Sequence, residues 1–388
     1  MKPAITAHDP IDTLMRAWRH DFHQHPETAY EETRTAAKVA ELLQSFGMDE
    51  VHSGLAVTGV VAVLRGSRPG PRIGLRADMD ALDIHEINTF AHCSTVPGKM
   101  HACGHDGHTS MLLGAAKYLS EHRDFPGTVI FIFQPAEENE VGGRRMCDEG
   151  LFERFSVDAV YGLHNWPELP PGAAAVHDRE VMASFDVFDI DIHGKGCHGA
   201  MPHLGVDAVA IAAQVVSALQ LIVSRNVDSA ERAVVSVTQI HGGDMYNILP
   251  ASVRLSGGTR ALDPAVRDLL ETRIRETATG LASALGGSAT VDYQRRYPPT
   301  INHPAEAAAI HRAACALLGE ENVQRNPPPS MAAEDFAVML ERRPGAYIWL
   351  GNGKPHPGAV LHSPSYDFND DILALGASLW VALIQQEW

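Results

Sequence analysis

Nine consecutive residues, Met100-His101-Ala102-Cys103-Gly104-His105-Asp106-Gly107-His108, carry a thiol, three imidazoles and a carboxylate. Side chains of these types at this density either bind a metal or activate a nucleophile. A chance cluster is the bland alternative, but 21 His in 388 residues makes so tight a grouping improbable. Gly104 and Gly107 let the backbone fold closely around a small centre.

Three further groups stand at the ends of strand-like runs. The run 72–75 leads into Arg76-Ala77-Asp78-Met79-Asp80, the continuous apolar run 128–133 into Gln134-Pro135-Ala136-Glu137-Glu138, and the run 159–163 into His164. Carboxyl ends of strands in an open α/β sheet are where such proteins place their sites. A two-metal hydrolase needs several N, O or S ligands, one group bridging both ions, and a carboxylate held off the metal as base. Cys103 and His105 supply ligands two residues apart, Glu137 and Glu138 can divide the roles of ligand and base, and His164 and His362 complete the set.

Each assignment has a plainer rival. A free Cys is usually a small buried hydrophobe, and a Cys–His nucleophile would leave Glu137-Glu138 without a task. A solvated loop pair is the bland alternative for those two carboxylates, but they follow a continuous apolar strand. His164 alone is balanced between core histidine and ligand until its strand-end position is considered. His362, in Leu361-His362-Ser363-Pro364, has only a loop setting. His101 and His108 are bystanders, the former orienting the loop and the latter starting a helix. Asp78 is ambiguous between ligand and loop support.

The elements that must position these groups alternate helix and strand patterns. Helical spacing of apolar residues covers 11–22, 32–46 and 108–121, and a strand is expected at 59–64. From 184 the pattern changes to alternation, then a helix at 206–225, strands at 233–240 and 252–255, a helix at 264–285 and a strand at 289–293. That β-α-β-β-α-β order is a small α+β sandwich. Residues 305–318, 334–340 and 371–385 read as helices and 346–350 as a strand of the first domain. The fold expected is α/β: a catalytic domain (1–180 and 296–388) with a central, mostly parallel sheet flanked by helices, and an inserted α+β, ferredoxin-like domain (181–295). Asn326-Pro327-Pro328-Pro329 reads as a stiff loop.

Composition excludes other classes. At 45% hydrophobic and 20% charged residues the chain is globular rather than disordered. A formal charge of -17 without a basic tract argues against nucleic acid. The longest apolar run, 372–384, falls short of a membrane span and the N-terminus lacks an apolar signal core. Five scattered Cys argue against a disulfide framework and for a reducing, cytoplasmic setting.

LRADMDAL (75–82), GKMHACGHDGHTSMLLGAA (98–116), FQPAEE (133–138), GLHNWPELPPG (162–172), GKGCHGAMPH (194–203) and LHSPSYDF (361–368) together resemble the M20 metallopeptidase family. The similarity is to its amidohydrolase branch of hippurate hydrolases, N-acyl-amino-acid amidohydrolases and auxin-conjugate hydrolases. The resemblance implies that Cys103 bridges two divalent ions (Zn, Mn, Co or Ni), with His105, Glu138, His164 and His362 as the other ligands. It implies Glu137 as general base and Asp80 as the carboxylate orienting a ligand. It further implies an inserted lid that mediates a homodimer or dimer-based oligomer, His198 holding the scissile carbonyl, and Asn247 and Arg260 binding the free carboxylate of an N-acyl amino acid. On this expectation water acidified by the metals loses its proton to Glu137 and attacks the amide. Asp83 and Cys197 depart from the branch's commoner residues beside the site without removing a catalytic group. A dipeptidase or carboxypeptidase of the same family, and a non-catalytic binding protein on this scaffold, are the alternatives; the Glu137 carboxylate argues against the latter.

Overall fold

Continuous apolar runs with β-branched and aromatic residues build strands covered on both faces. In the computed structural model, which describes residues 2–138, 140–354 and 358–386, the run ending Val129-Ile130-Phe131-Ile132-Phe133 is such a strand and is entirely buried. It belongs to an eight-stranded sheet in the order Glu50–Leu55, Gly59–Arg65, Pro126–Gln134, Arg68–Asp78, Ala159–Trp166, Gly345–Gly351, Ala174–Val176 and Val323–Arg325. The four central strands, Pro126–Gln134 through Gly345–Gly351, run parallel. Antiparallel pairs extend this core on one side and begin its extension on the other, so the sheet is mixed at its flanks and parallel where the site lies.

The chain passes from Arg68–Asp78 to Pro126–Gln134 on one side and then to Ala159–Trp166 on the other. The strand bearing Asp78 therefore lies between the one that ends shortly before Glu137-Glu138 and the one that carries His164, which runs on past the expected end to Trp166. Such a switch point opens a crevice beyond the strand ends.

Helix His105–Glu121 packs against helices Pro10–Gln24 and Leu373–Gln385. The last of these is buried nearly throughout, which accounts for its being apolar on all sides. Pro10–Gln24 begins with Pro at its first position and Asp9 accepting from the Ile11 N–H at 2.9 Å.

A second compact unit comprises Glu180–Thr300 and Pro329–Glu334, wider than the expected 181–295. Its last strand pairs as far as Tyr297, and the Ser330 N–H donates to Val181 O at 3.0 Å, recruiting the segment after the triproline. Within it, strands Ala233–His241, Ser252–Ala261, Phe185–His193 and Ser288–Tyr297 form an antiparallel sheet. Helices Ala208–Asn226 and Pro264–Ala284 pack on that sheet, capped by Asp207 and Asp263. The 19-residue helix Ala208–Asn226 is long and apolar enough by length and composition to cross a membrane. It is longer than 372–384, the run expected to be the longest apolar one. Its Ile211, Val215, Leu219 and Ile222 fill the core of this unit.

Candidate metal centre

The helix carrying the His-rich motif begins at His105, not at His108 as its spacing suggests, so Cys103 and His105 stand on either side of its N-cap, Gly104. Gly104 precedes it with φ 94°, and a Cβ there would lie 2.5 Å from Asn165 Oδ1 and 2.9 Å from Tyr366 Oη. A Cβ on Gly107 would fall 2.3 Å from the Phe368 ring. Both glycines are required by close approach, and Gly104 by its backbone conformation as well. Asp106 turns away from the centre. It accepts from Arg19 Nε at 2.9 Å and the Gly107 N–H at 3.0 Å, and lies 2.8 Å from His23 Nδ1. Burial opposes its charge, but Arg19 and His23 hold its carboxyl well below the usual range.

The five expected ligands come together. Cys103, His105 and His164 form one cluster and Cys103, Glu138 and His362 another, the ligand atoms of each lying within 4.8 Å of one another. Cys103 is the residue common to both. Its Sγ is 3.4 Å from His164 Nε2, and His362 Nε2 is 3.1 Å from Glu138 Oε1. Glu137 joins His105 and Glu138 in a third cluster. The Asp335 N–H donates to Glu137 Oε1 at 3.3 Å.

Neighbours fix which nitrogen of each imidazole faces the centre. His105 Nδ1 lies 2.9 Å from Asp80 O and 3.3 Å from Asp80 Oδ1, and His164 Nδ1 lies 2.7 Å from Asn165 O. With Nδ1–H donating outward, Nε2 presents its lone pair inward. His105 Nε2 is buried and has no hydrogen-bond partner among the described residues. An orphaned buried nitrogen beside a thiol and two carboxylates is costly unless a cation completes it. The mixed S, N and O donors suit a first-row divalent ion.

The electrostatics agree with this. Burial, reinforced by the carboxylates of Glu138, Glu137 and Asp78, pushes the Cys103 thiol well above its ordinary range. Burial disfavours charge on His105 too, but Asp78 and Asp80 raise it to about 10. Without a cation the centre therefore holds protons where ligands are expected, and metal binding must displace them.

His108 is fully engaged elsewhere, with Nδ1 2.6 Å from Asp78 Oδ1 and Nε2 2.6 Å from Asn165 Oδ1. Asp78 also accepts from Arg76 Nη1 at 2.6 Å, and with His105 and His108 it forms a further buried group whose ligand atoms lie within 4.8 Å of one another. Burial pushes His101 down to about 4, leaving it neutral. Asp335, Asn165 and Tyr366 were not foreseen; Asn165 directly follows His164, the one signal that pointed to it. Ala136 and His362 adopt φ 56° and 62°, strained for non-glycine residues and immediately at the site. The His362 N–H donates to Ala102 O at 2.8 Å, tying its loop to the Cys103 segment.

His198, Asn247 and Arg260 belong to the second unit. His198 pairs with Ile248 in a short antiparallel ribbon, and the Gly199 N–H donates to Asn247 O at 2.7 Å, so His198 and Asn247 lie close together across the ribbon. His198 and Asn247 are exposed. The Arg260 guanidinium lies 4.0 Å from the centroid of the Phe185 ring.

The family described as Peptidase family M20/M25/M40 matches residues 74–386, a span that includes every motif of the cluster. The chain belongs to this family. Membership makes it a hydrolase of amide bonds. This M20 chain is 40% identical over 365 residues to the hippurate hydrolase of Campylobacter jejuni, covering 94% of each chain. It is 35% identical over 367 residues to the N-acetylcysteine deacetylase of Bacillus subtilis, again covering 94% of each. Among solved structures it resembles the YXEP protein of Bacillus subtilis, described as a dinuclear metal-binding peptidase of the M20 family. The TM-score is 0.83 at 32% identity, with 97% of each chain covered.

Proposed function

We propose that this M20 hydrolase is a two-metal amidohydrolase that cleaves N-acyl amino acids, hippurate-like or related conjugates, to a carboxylic acid and a free amino acid. The sharing of Cys103 between two three-residue clusters carries the proposal. Cys103, His105 and His164 would hold one cation and Cys103, Glu138 and His362 the other, and this thiolate, imidazole and carboxylate set suits Zn, Mn, Co or Ni. When bound, the pair supplies Lewis-acid polarisation of the amide carbonyl and acidifies water.

The chain's own residues do the rest. Glu137, held through Oε1 by the Asp335 N–H, takes the proton of the attacking water and returns it to the leaving amine. Asp80 fixes His105 and the Glu138 backbone. His198 stabilises charge developing on the carbonyl oxygen. Arg260 and Asn247 bind the substrate carboxylate, the guanidinium in bidentate fashion, so amino-acid leaving groups are preferred over plain amines. The second unit acts as a lid and as the contact of a homodimer, and the five free thiols fit work in the cytoplasm.

A panel of hippurate, N-acetyl and indole-acyl amino acids and dipeptides, assayed with and without chelator beside Glu137→Gln, tests this. Expected are turnover of acyl amino acids, its loss on chelation, and a fall in kcat of roughly 10²–10⁴-fold in the variant with both metals retained. Chelator-resistant turnover, or full activity in Glu137→Gln, refutes the mechanism. Preference for dipeptides moves the chain to the peptidase alternative.

A further inference from the structure

We infer that Glu32 is a positioning residue: with Asp80 it forms a pair of buried carboxylates that grips alternate amides of the Ala136-Glu137-Glu138 segment and so aims Glu137 at the centre. The inference rests on the proposed role of Glu137 as base.

Glu32 occupies the N-cap position of helix Thr33–Ser45 yet makes no side-chain cap bond. Glu27 does that work instead, accepting from the Arg34 N–H at 3.0 Å and the Thr35 N–H at 2.8 Å. Glu31 is taken by Lys99 at 2.7 Å. Of the three carboxylates in Pro26-Glu27-Thr28-Ala29-Tyr30-Glu31-Glu32, only Glu32 is free to turn inward. There it is fully buried, and it accepts from Thr58 Oγ1 at 2.7 Å and from the Ala136 N–H at 2.9 Å.

Ala136 is left-handed, and its carbonyl is held by the Gly142 N–H at 2.8 Å. Two residues on, the Glu138 N–H donates to Asp80 Oδ2 at 2.9 Å. Three successive peptides are thus pinned: Pro135–Ala136 by Glu32, Ala136–Glu137 by the Gly142 N–H, and Glu137–Glu138 by Asp80, so the two planes that set the Glu137 Cα–Cβ direction are held directly and the one leading into them is held by Glu32. Burying a carboxylate and holding alanine at positive φ both cost free energy, and such costs persist where the surroundings over-determine a functional geometry. Asp80 serves Glu138 and His105; Glu32 touches neither, so its contribution runs through Ala136 to Glu137.

Comparing metal-loaded wild type, Glu32→Ala and Glu32→Gln tests this by metal content, kcat, KM and amide hydrogen exchange over 135–142. In Glu32→Ala the Ala136 amide should exchange faster. Its kcat should fall on the order of 10–100-fold with KM unchanged and both metals retained, since misplacing a reacting group by about 1 Å has effects of that size. Glu32→Gln should restore both readouts, its amide oxygen accepting from Ala136 and its NH₂ donating to Thr58. Unaltered exchange and kcat in Glu32→Ala, or a Glu32→Gln as impaired as alanine, would overturn the inference. Should Glu32→Ala fail to fold, Thr58→Val frees the second Glu32 oxygen. It should show the same exchange change with a smaller fall in kcat, and its silence in both would be equally decisive. A wild type inert toward every acyl amino acid defeats the substrate proposal while leaving the exchange measurement to judge Glu32.

Discussion

Replacing Glu32 by glutamine removes a titrating group while keeping its shape, and the native pH dependence of stability should change in a calculable way. Burial, with repulsion from the Asp80 carboxylate, raises Glu32 from 4.5 to about 7 against the opposing bonds from Thr58 and Ala136. Below pH 4.5 the group is neutral in folded and unfolded chains alike. As pH rises toward about 7 the unfolded chain releases this proton while the native state keeps it, so the native state binds more protons and loses stability relative to the unfolded state. Above that both are ionised and the difference is constant. At about 1.4 kcal/mol per pH unit the interval is worth roughly 3 kcal/mol. Urea unfolding of wild type and Glu32→Gln, both stripped of cations so that metal binding adds no pH dependence of its own, measures it. The variant should gain on the wild type by that amount between pH 4.5 and 7.5 and run parallel above. A difference that is flat with pH, or that falls, would show that Glu32 is ionised in the native protein and refute the reasoning.

Cys103 should react slowly with an alkylating reagent in the metal-loaded protein and faster once the metals are removed, read by mass spectrometry of the labelled peptide; equal rates would deny it a place on the metals. Gly107→Ala drives a methyl into the Phe368 ring and should cost about 1–3 kcal/mol, seen as a lowered urea midpoint; an unchanged midpoint would mean the ring moves at no cost. Asp106→Ala strands the wholly buried Arg19 and His23. A loss of about 3–5 kcal/mol is expected, and a loss below about 1 kcal/mol would mean that Asp367 and Asp370 already hold Arg19 sufficiently.

Asp80, Glu137, Glu138 and His164 were legible in the sequence because central parallel strands are largely apolar, so polar groups in their last residues or just beyond them stand out. The parallel core was legible for the same reason. Strands Ala174–Val176 and Val323–Arg325 are too short to show a period, and Glu50–Leu55 is half exposed. The helix start at His105 was hidden because its N-cap is a left-handed glycine instead of a hydrogen-bonding side chain. His362 sits in a loop whose position is fixed by a backbone bond to Ala102, a contact that local pattern cannot announce; the family resemblance supplied it. Glu32 was invisible for a subtler reason. At the head of a helix an acidic residue needs no further explanation, and only the cap by Glu27 shows that it is employed elsewhere.

The bond between the His362 N–H and the Ala102 carbonyl also orders events in the life of the chain. During synthesis Cys103, His105, Glu138 and His164 leave the ribosome long before His362, yet the second cluster is complete only when that residue has docked. On the proposed ligand set a nascent chain would lack part of the second cluster, and the centre would be completed last, after nearly the whole sheet has assembled. Hydrolytic competence would thereby be postponed until the protein is almost finished, and a C-terminal truncation before His362 should leave a partly folded chain that never acquires it.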